Sequence, residues 1–442
     1  MRLIESLVTT EALAGLFSDG SILQAMLDFE VALARAAARS RLIPEKAAQS
    51  IAEAGRIELY DSAQIAIDGQ RAATLSIPVV KALTERVRER DQHSANYVHW
   101  GATSQDVSDT ALALLLVRAR AILSADHARI MKALRRVSDE NAGAIMLGRT
   151  LLQPAPPITF GLKTAGWYGS IRRSWRRVEA ALEETCVLQL GGASGTLASL
   201  GEHGIAVTRA MAEELNLRYA NAPWHAHRDR LGALVCACGV YAASLAKMAR
   251  DIALLMQHEV AEAFETAGNG RGGSSTMPQK QNPSACALTL AAANRVPGLV
   301  ANFLFSMTQE QERGVGGGQA EWATIAEVIG ATGLALESMA EVAEALRVDT
   351  ARMRANLEST HGSVFAERAM MMLAGTIGRD RAHTLLEQAV RRASHDGRKL
   401  TEVLAEMPEV AGILRPQQIS ALDSPEGYLG TAEIFRRQLL GS

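Results

Sequence analysis

Apolar residues recur at three- and four-residue spacing along most of this chain, and alternation with a period of two is nearly absent. The pattern therefore predicts a fold that is nearly all α. Residues 20–40, "GSILQAMLDFEVALARAAARS", read as a first amphipathic helix that stops before Pro44. Shorter helices continue to about residue 92, with Pro78 near the start of "IPVVKALTERVRER", where a helix tolerates it. Polar residues interrupt the pattern at 93–110. From Asp106 it resumes and predicts a single helix of over thirty residues, on the order of 50 Å long at 1.5 Å per residue.

A helix of that length needs neighbours of similar length. The pattern supplies them at 159–190, at 229–266 with Asp229 as its N-cap, at 284–308 with an interruption at Pro297, and at 320–346. Several are apolar on more than one face, which predicts a bundle whose surplus apolar surface is covered by other copies of the chain. The composition changes near residue 350, where shorter helices begin. Three domains are expected: 1–106, a central long-helix bundle at 107–350, and 351–442. No internal repeat and no low-complexity tract is present.

Composition narrows the function classes. With 442 residues, 48% hydrophobic, the chain can bury a large core. A net charge of -2 creates no long-range field for nucleic acid or an acidic membrane, so an anionic ligand must be held by local cations. The longest apolar run, 231–246, is shorter than a bilayer span and reads as a buried core helix, with no membrane role. The first residues, "MRLIESLVTTEAL", carry Glu5 and no apolar stretch of the secretory kind. Cys186, Cys236, Cys238 and Cys286 are too few and too scattered for a disulfide framework, and a cytoplasmic location is expected. Cys236 and Cys238 lie in an apolar run and read as packing residues.

Glycine, hydroxyls and charges gather in three islands between the long helices, where chemistry would sit. In "YVHWGATSQDVSD", residues 97–109, Gly101 frees the backbone, Thr103 and Ser104 offer hydroxyls, and Asp106 or Ser108 can cap the helix that follows. "GRTLLQPAPPITFG", residues 148–161, reads as a rigid connector with three prolines, and Arg149, Thr150 and Gln153 supply donors. The third, "GNGRGGSSTMPQKQNPSAC", residues 268–286, joins a glycine-rich half carrying Ser274 and Ser275 to a proline-stiffened half carrying Lys280 and Asn282. A mobile hydroxyl joined to a fixed cation and amide is a plausible catalytic loop. No Walker-type G-x-x-x-x-G-K-[ST] occurs in it.

"GSSTMPQKQNP", residues 273–283, resembles the G-S-S-x-M-P-x-K-x-N-P signature of the fumarase/aspartase superfamily, matching all eight of its fixed positions. "HWGATSQD", "GRTLLQPAPPITFG" and "THGSVFAERAM" resemble the superfamily's other blocks in the same order, so the resemblance covers essentially the whole chain. It implies a three-domain all-α homotetramer with a twenty-helix core and active sites shared between subunits. It also implies Ser274 as the base and Lys280 and Asn282 as catalytic residues. His99, Thr103, Ser104, Gln153, Ser275, Met277 and Arg313 are the implied substrate-binding residues. Leu151 and "QRAATLSIPVVKAL" stand where adenylosuccinate lyases carry histidines. "TQEQERGVGGGQAEWATIAEV", "APWHAHRDR" and "GYLGTAEIF" are similar instead to the muconate cycloisomerases.

The resemblance thus implies interconversion of 3-carboxy-cis,cis-muconate and 4-carboxymuconolactone, with a small tricarboxylate as substrate and neither cofactor nor metal. Other superfamily lyases, a cycloisomerase for a sulfonated muconate, and a catalytically retired structural oligomer are the alternatives. His227 departs from the muconate enzymes, which usually carry glutamine there. The pair His225 and His227 invites a metal reading, but with no third ligand in view the two more plausibly line the site or pair with acids.

Overall fold

The structure is a computed structural model that describes residues 3–266, 272–273, 276–277 and 279–441. Five long helices carry it: α1 (Ser104–Glu140), α2 (Phe160–Thr185), α3 (Asp229–Leu255), α4 (Ser284–Ser306) and α5 (Gly317–Glu344). The chain packs as two compact units. One comprises residues 1–128, 173–246 and 288–338, the other 129–172, 247–287 and 339–442.

In the first unit the helix Asp19–Arg39 starts where the Ser18 hydroxyl accepts the Ser21 N–H, and it buries Leu23, Met26, Leu27, Phe29 and Leu33. The core continues through Leu115, Leu116, Leu234, Tyr241, Ile325 and Ile329, each no more than 1% exposed. Truncating one such leucine to alanine costs about 2–5 kcal/mol. His127 stacks on Trp175 with ring centroids 4.5 Å apart, and it shares a 2.9 Å hydrogen bond with the Tyr241 hydroxyl. Burial pushes its imidazole down to about 4, so it sits in the core as a neutral residue.

The fold is predominantly helical, as the spacing predicts, and the second unit adds a short ribbon to it. Residues 145–159 form an antiparallel hairpin, β1 (Ile145–Thr150) and β2 (Gln153–Thr159), where a connector was expected. Pro154, Pro156 and Pro157 are tolerated because a two-stranded ribbon leaves one edge of each strand unpaired. The register shifts between Leu147 and Gly148, and a Cβ on Gly148 would lie 2.3 Å from the Pro156 carbonyl oxygen, so only glycine fits that bulge. Leu147 packs with Leu357, Val364 and Phe365. The C-terminal helices close over their own core of Leu373, Leu386, Leu400, Val403, Leu404 and Ile419.

Helix limits also differ from the sequence pattern. α3 ends at Leu255 and not near 266, because Ala263–Phe264 (β3) pairs with Arg347–Val348 (β4). Asp229 is the first helical residue of α3 and not its cap. α4 passes through Pro297 without a break. α3, α4 and α5 are each long and apolar enough to cross a membrane by length and composition. Their most apolar windows are 56%, 28% and 78% buried, so α4 leaves the most apolar surface open.

Candidate active site

In the first unit, Thr103 stands immediately before α1, and its carbonyl accepts the N–H groups of Asp106 and Val107. Asp106 answers by accepting the Thr103 N–H at 2.9 Å, a reciprocal cap of the kind that fixes a helix start. The same buried carboxylate accepts the amides of Gly191 at 2.9 Å and Gly192 at 3.0 Å and lies 2.7 Å from His225 Nε2. A Cβ on Gly191 would come within 2.7 Å of both His225 and Pro223, so the close approach needs glycine. His225 pairs with an acid while His227 is exposed, so the two do not form a metal half-site. Among the described residues, no group of three or more His, Cys, Asp or Glu side chains is arranged to hold a metal ion.

One turn further along α1, Asp109 accepts two bonds of 2.9 Å from Arg228. Arg228 also donates from Nε to Glu321 on α5 at 2.9 Å, and Gln309 bonds the same carboxylate at 2.9 Å. Burial opposes the charge on Arg228, but the two carboxylates outweigh it and hold the guanidinium ionised. Burial raises the Glu321 carboxyl above its usual range, and Arg228 only partly offsets this, because two acids share one cation. These groups underlie a cleft of about 770 Å³ lined in part by Gln70, Ser104, Gln105, Asp109, Gln309 and Arg313. Arg313 extends to within 2.7 Å of the Thr103 hydroxyl. The structure thus brings Thr103, Ser104 and Arg313 together.

His99 lies in the same unit but does not line that cleft. It holds φ at 59°, and its Nδ1 is 2.6 Å from Glu30. Sequence reasoning passed over Glu30, although the signal was present: it falls on the apolar stripe of Met26, Leu33 and Ala37 at helical spacing. Asp109, Glu321 and Arg228 were missed for a different reason, since their pairing joins three distant parts of the chain.

In the second unit, Arg149 was expected to offer free donors, but both its terminal nitrogens bind Glu262, at 2.7 and 2.8 Å. Gln153 opens β2 and is exposed, and Leu151 at the hairpin tip is 96% exposed. Met277 accepts the Lys280 N–H through its carbonyl at 3.0 Å, and the Asn282 amide reaches the Gly273 carbonyl at 3.2 Å. Lys280 is exposed. Ser274 and Ser275 lie outside the described residues.

Comparison with known proteins gives these blocks a context. The lyase family model matches residues 5–298, and that of the adenylosuccinate lyase C-terminus matches residues 362–438. The 3-carboxy-cis,cis-muconate cycloisomerase of Bradyrhizobium diazoefficiens is 44% identical over 440 residues, covering 100% of this chain and 98% of that protein. The crystal structure of the 3-carboxy-cis,cis-muconate lactonizing enzyme from Pseudomonas putida superposes with a TM-score of 0.93 at 40% identity, covering 100% of this chain and 98% of that one. Nitrosuccinate lyase of Streptomyces davaonensis is 40% identical over 423 residues, covering 94% of this chain and 89% of that protein.

Proposed function

The chain belongs to the lyase family of the fumarase/aspartase superfamily, and we propose that within it the chain interconverts 3-carboxy-cis,cis-muconate and 4-carboxymuconolactone. The observation that carries this reading is end-to-end similarity, 44% over 440 residues, to a cycloisomerase of that name. Local chemistry supports it. Leu151 stands where a lyase that expels an amine would carry its acid, and a leucine cannot transfer a proton. Cycloisomerisation releases no group and requires no such acid.

In the lactonising direction, a carboxylate of the substrate adds to a double bond conjugated with a neighbouring carboxylate. A C–O bond forms, and the electron pair moves to an aci-carboxylate. Lys280 and Asn282 steady that extra negative charge, and the Ser274 hydroxyl exchanges the proton at carbon. Thr103, Ser104, Gln153 and Arg313 are the proposed carboxylate donors, and His99, Ser275 and Met277 the other proposed substrate contacts, drawn from several copies of the chain. Arg313 suits a carboxylate grip because its planar fork matches two oxygens. We assign the active molecule as a cytoplasmic homotetramer in which several copies contribute to each site, with domains at 1–106, 107–350 and 351–442.

The test is turnover. Purified protein is given 3-carboxymuconate, adenylosuccinate and nitrosuccinate, and loss of each chromophore is followed. Turnover of the muconate is expected. Turnover of only a succinate derivative would reassign the chain to a lyase, and turnover of none would mark a retired structural oligomer. Lys280→Ala is expected to lower kcat about 10²–10³-fold, and Ser274→Ala to abolish turnover with the assembly intact.

A further inference from the structure

Glu265 stands just ahead of the signature loop and is 5% exposed. Its two carboxylate oxygens each take one backbone amide from the first turn of α4, Oε1 from Ala285 at 3.0 Å and Oε2 from Cys286 at 3.1 Å. Those amides are among the helix donors that have no partner within the helix. One side chain on the way into the loop therefore holds the backbone on the way out. Further bonds close the same base. The Ser284 hydroxyl accepts the Gly272 N–H at 3.1 Å, and the Gly272 carbonyl accepts the Asn282 N–H at 2.8 Å. Gly272 does this at φ 73°, where a side chain would be strained. The Thr266 hydroxyl donates to the Ala345 carbonyl, tying the entry strand down.

We infer that Glu265 is a positioning residue: by clamping the start of α4 to the entry of the signature loop, its carboxylate sets where Lys280 and Asn282 stand. The inference rests on the role given above to those two side chains. Its physical basis is that both lie within a few residues of the clamped amides, so a slip at the base displaces them directly. A displacement of about 1 Å in a catalytic group can cost on the order of 10²-fold in rate. The carboxylate also suits the site electrostatically, since a helix N-terminus favours negative charge. Cys286, in the same turn, is kept protonated, because burial and the Glu265 charge both push its thiol upward.

Glu265→Gln tests this with little change of shape. Glutamine keeps one acceptor but turns an NH₂ donor toward the second amide, so one half of the clamp becomes repulsive. The expected result is a kcat at least about tenfold lower, with KM within about threefold, because the loop acts on the transition state. Glu265→Asp, which keeps the carboxylate, is expected to recover part of that loss. Independently of activity, trypsin cleavage after Lys280 is expected to become several-fold faster in the Gln variant at an unchanged melting temperature. An unchanged cleavage rate overturns the inference whatever the activity. So does a melting temperature lowered by more than about 10 °C with cuts spread along the chain, which would make Glu265 a general scaffold residue. Should the wild-type protein turn over no muconate while the Gln variant is cut selectively after Lys280, the clamp stands and the assigned reaction fails.

Discussion

Glu30 and His99 form a pair in which the carboxylate has no exposed surface and the imidazole side chain keeps 20%. Burial alone would lower the histidine's pKa. The charge of Glu30, the bond between them and the nearby Asp106 outweigh that burial and raise it. A raised histidine stabilises the fold fully below about pH 6.5, its unfolded value, and that contribution is lost as pH rises through the higher folded value. Glu30→Gln is expected to remove this dependence and to cost about 1–3 kcal/mol on the acid side of the window. Denaturant melts at a series of pH values from 5.5 to 8.5 measure both. A wild-type slope that persists in the variant would show that another group sets it. His99 drew notice by its place beside glycine and hydroxyls, whereas its partner sits 69 positions away, a distance that no local pattern spans.

At the scale of elements, the long helices were legible because their apolar spacing continues for several turns, and periodicity is strongest in long segments. The hairpin was not. Its strands carry three prolines and no alternation, and its two central residues, Leu151 and Leu152, both take positive φ, of 50° and 64°. A two-residue turn of that shape is normally written Asn-Gly. Replacing Leu151-Leu152 by Asn-Gly is therefore expected to stabilise the isolated turn by about 1–2 kcal/mol, read as slower amide exchange along β1 and β2. If the exchange is unchanged or faster, the leucines contribute packing that the turn geometry does not reveal. The early end of α3 was hidden for a related reason: pairing between β3 and β4, more than eighty residues apart, overrides local helix preference. The signature loop was legible as a block of residue types, and Ser104 and Arg313 do line one cleft, with Thr103 bonded to Arg313. Asp106, which holds the Thr103 turn, was legible as a capping candidate, whereas the buried cluster of Asp109, Arg228 and Glu321 was invisible, because a buried aspartate reads in sequence like a surface one.

For the whole molecule, the apolar surface of α4 matters most. Its most apolar window is only 28% buried within one chain, and Leu304 and Phe305 near its end are 46% and 85% exposed. Exposed apolar area of this kind marks an interface. Light scattering coupled to gel filtration is expected to give about four times the chain mass of 47.3 kDa. Leu304→Lys combined with Phe305→Lys is expected to shift that mass downward and to lower activity with it. A monomeric wild type of full activity would refute the shared-site arrangement.

The open face of α4 also bears on how the protein comes into being. If copies join over this face as proposed, each newly made chain meets its fellows at a rate that scales with the square of concentration, while it meets other apolar surfaces at a rate set by its own concentration alone. Slow synthesis or high dilution would then favour capture by other surfaces, while brisk synthesis of many copies at one place would favour assembly. The yield of finished enzyme is in this sense a race, and one incompletely covered helix sets its terms.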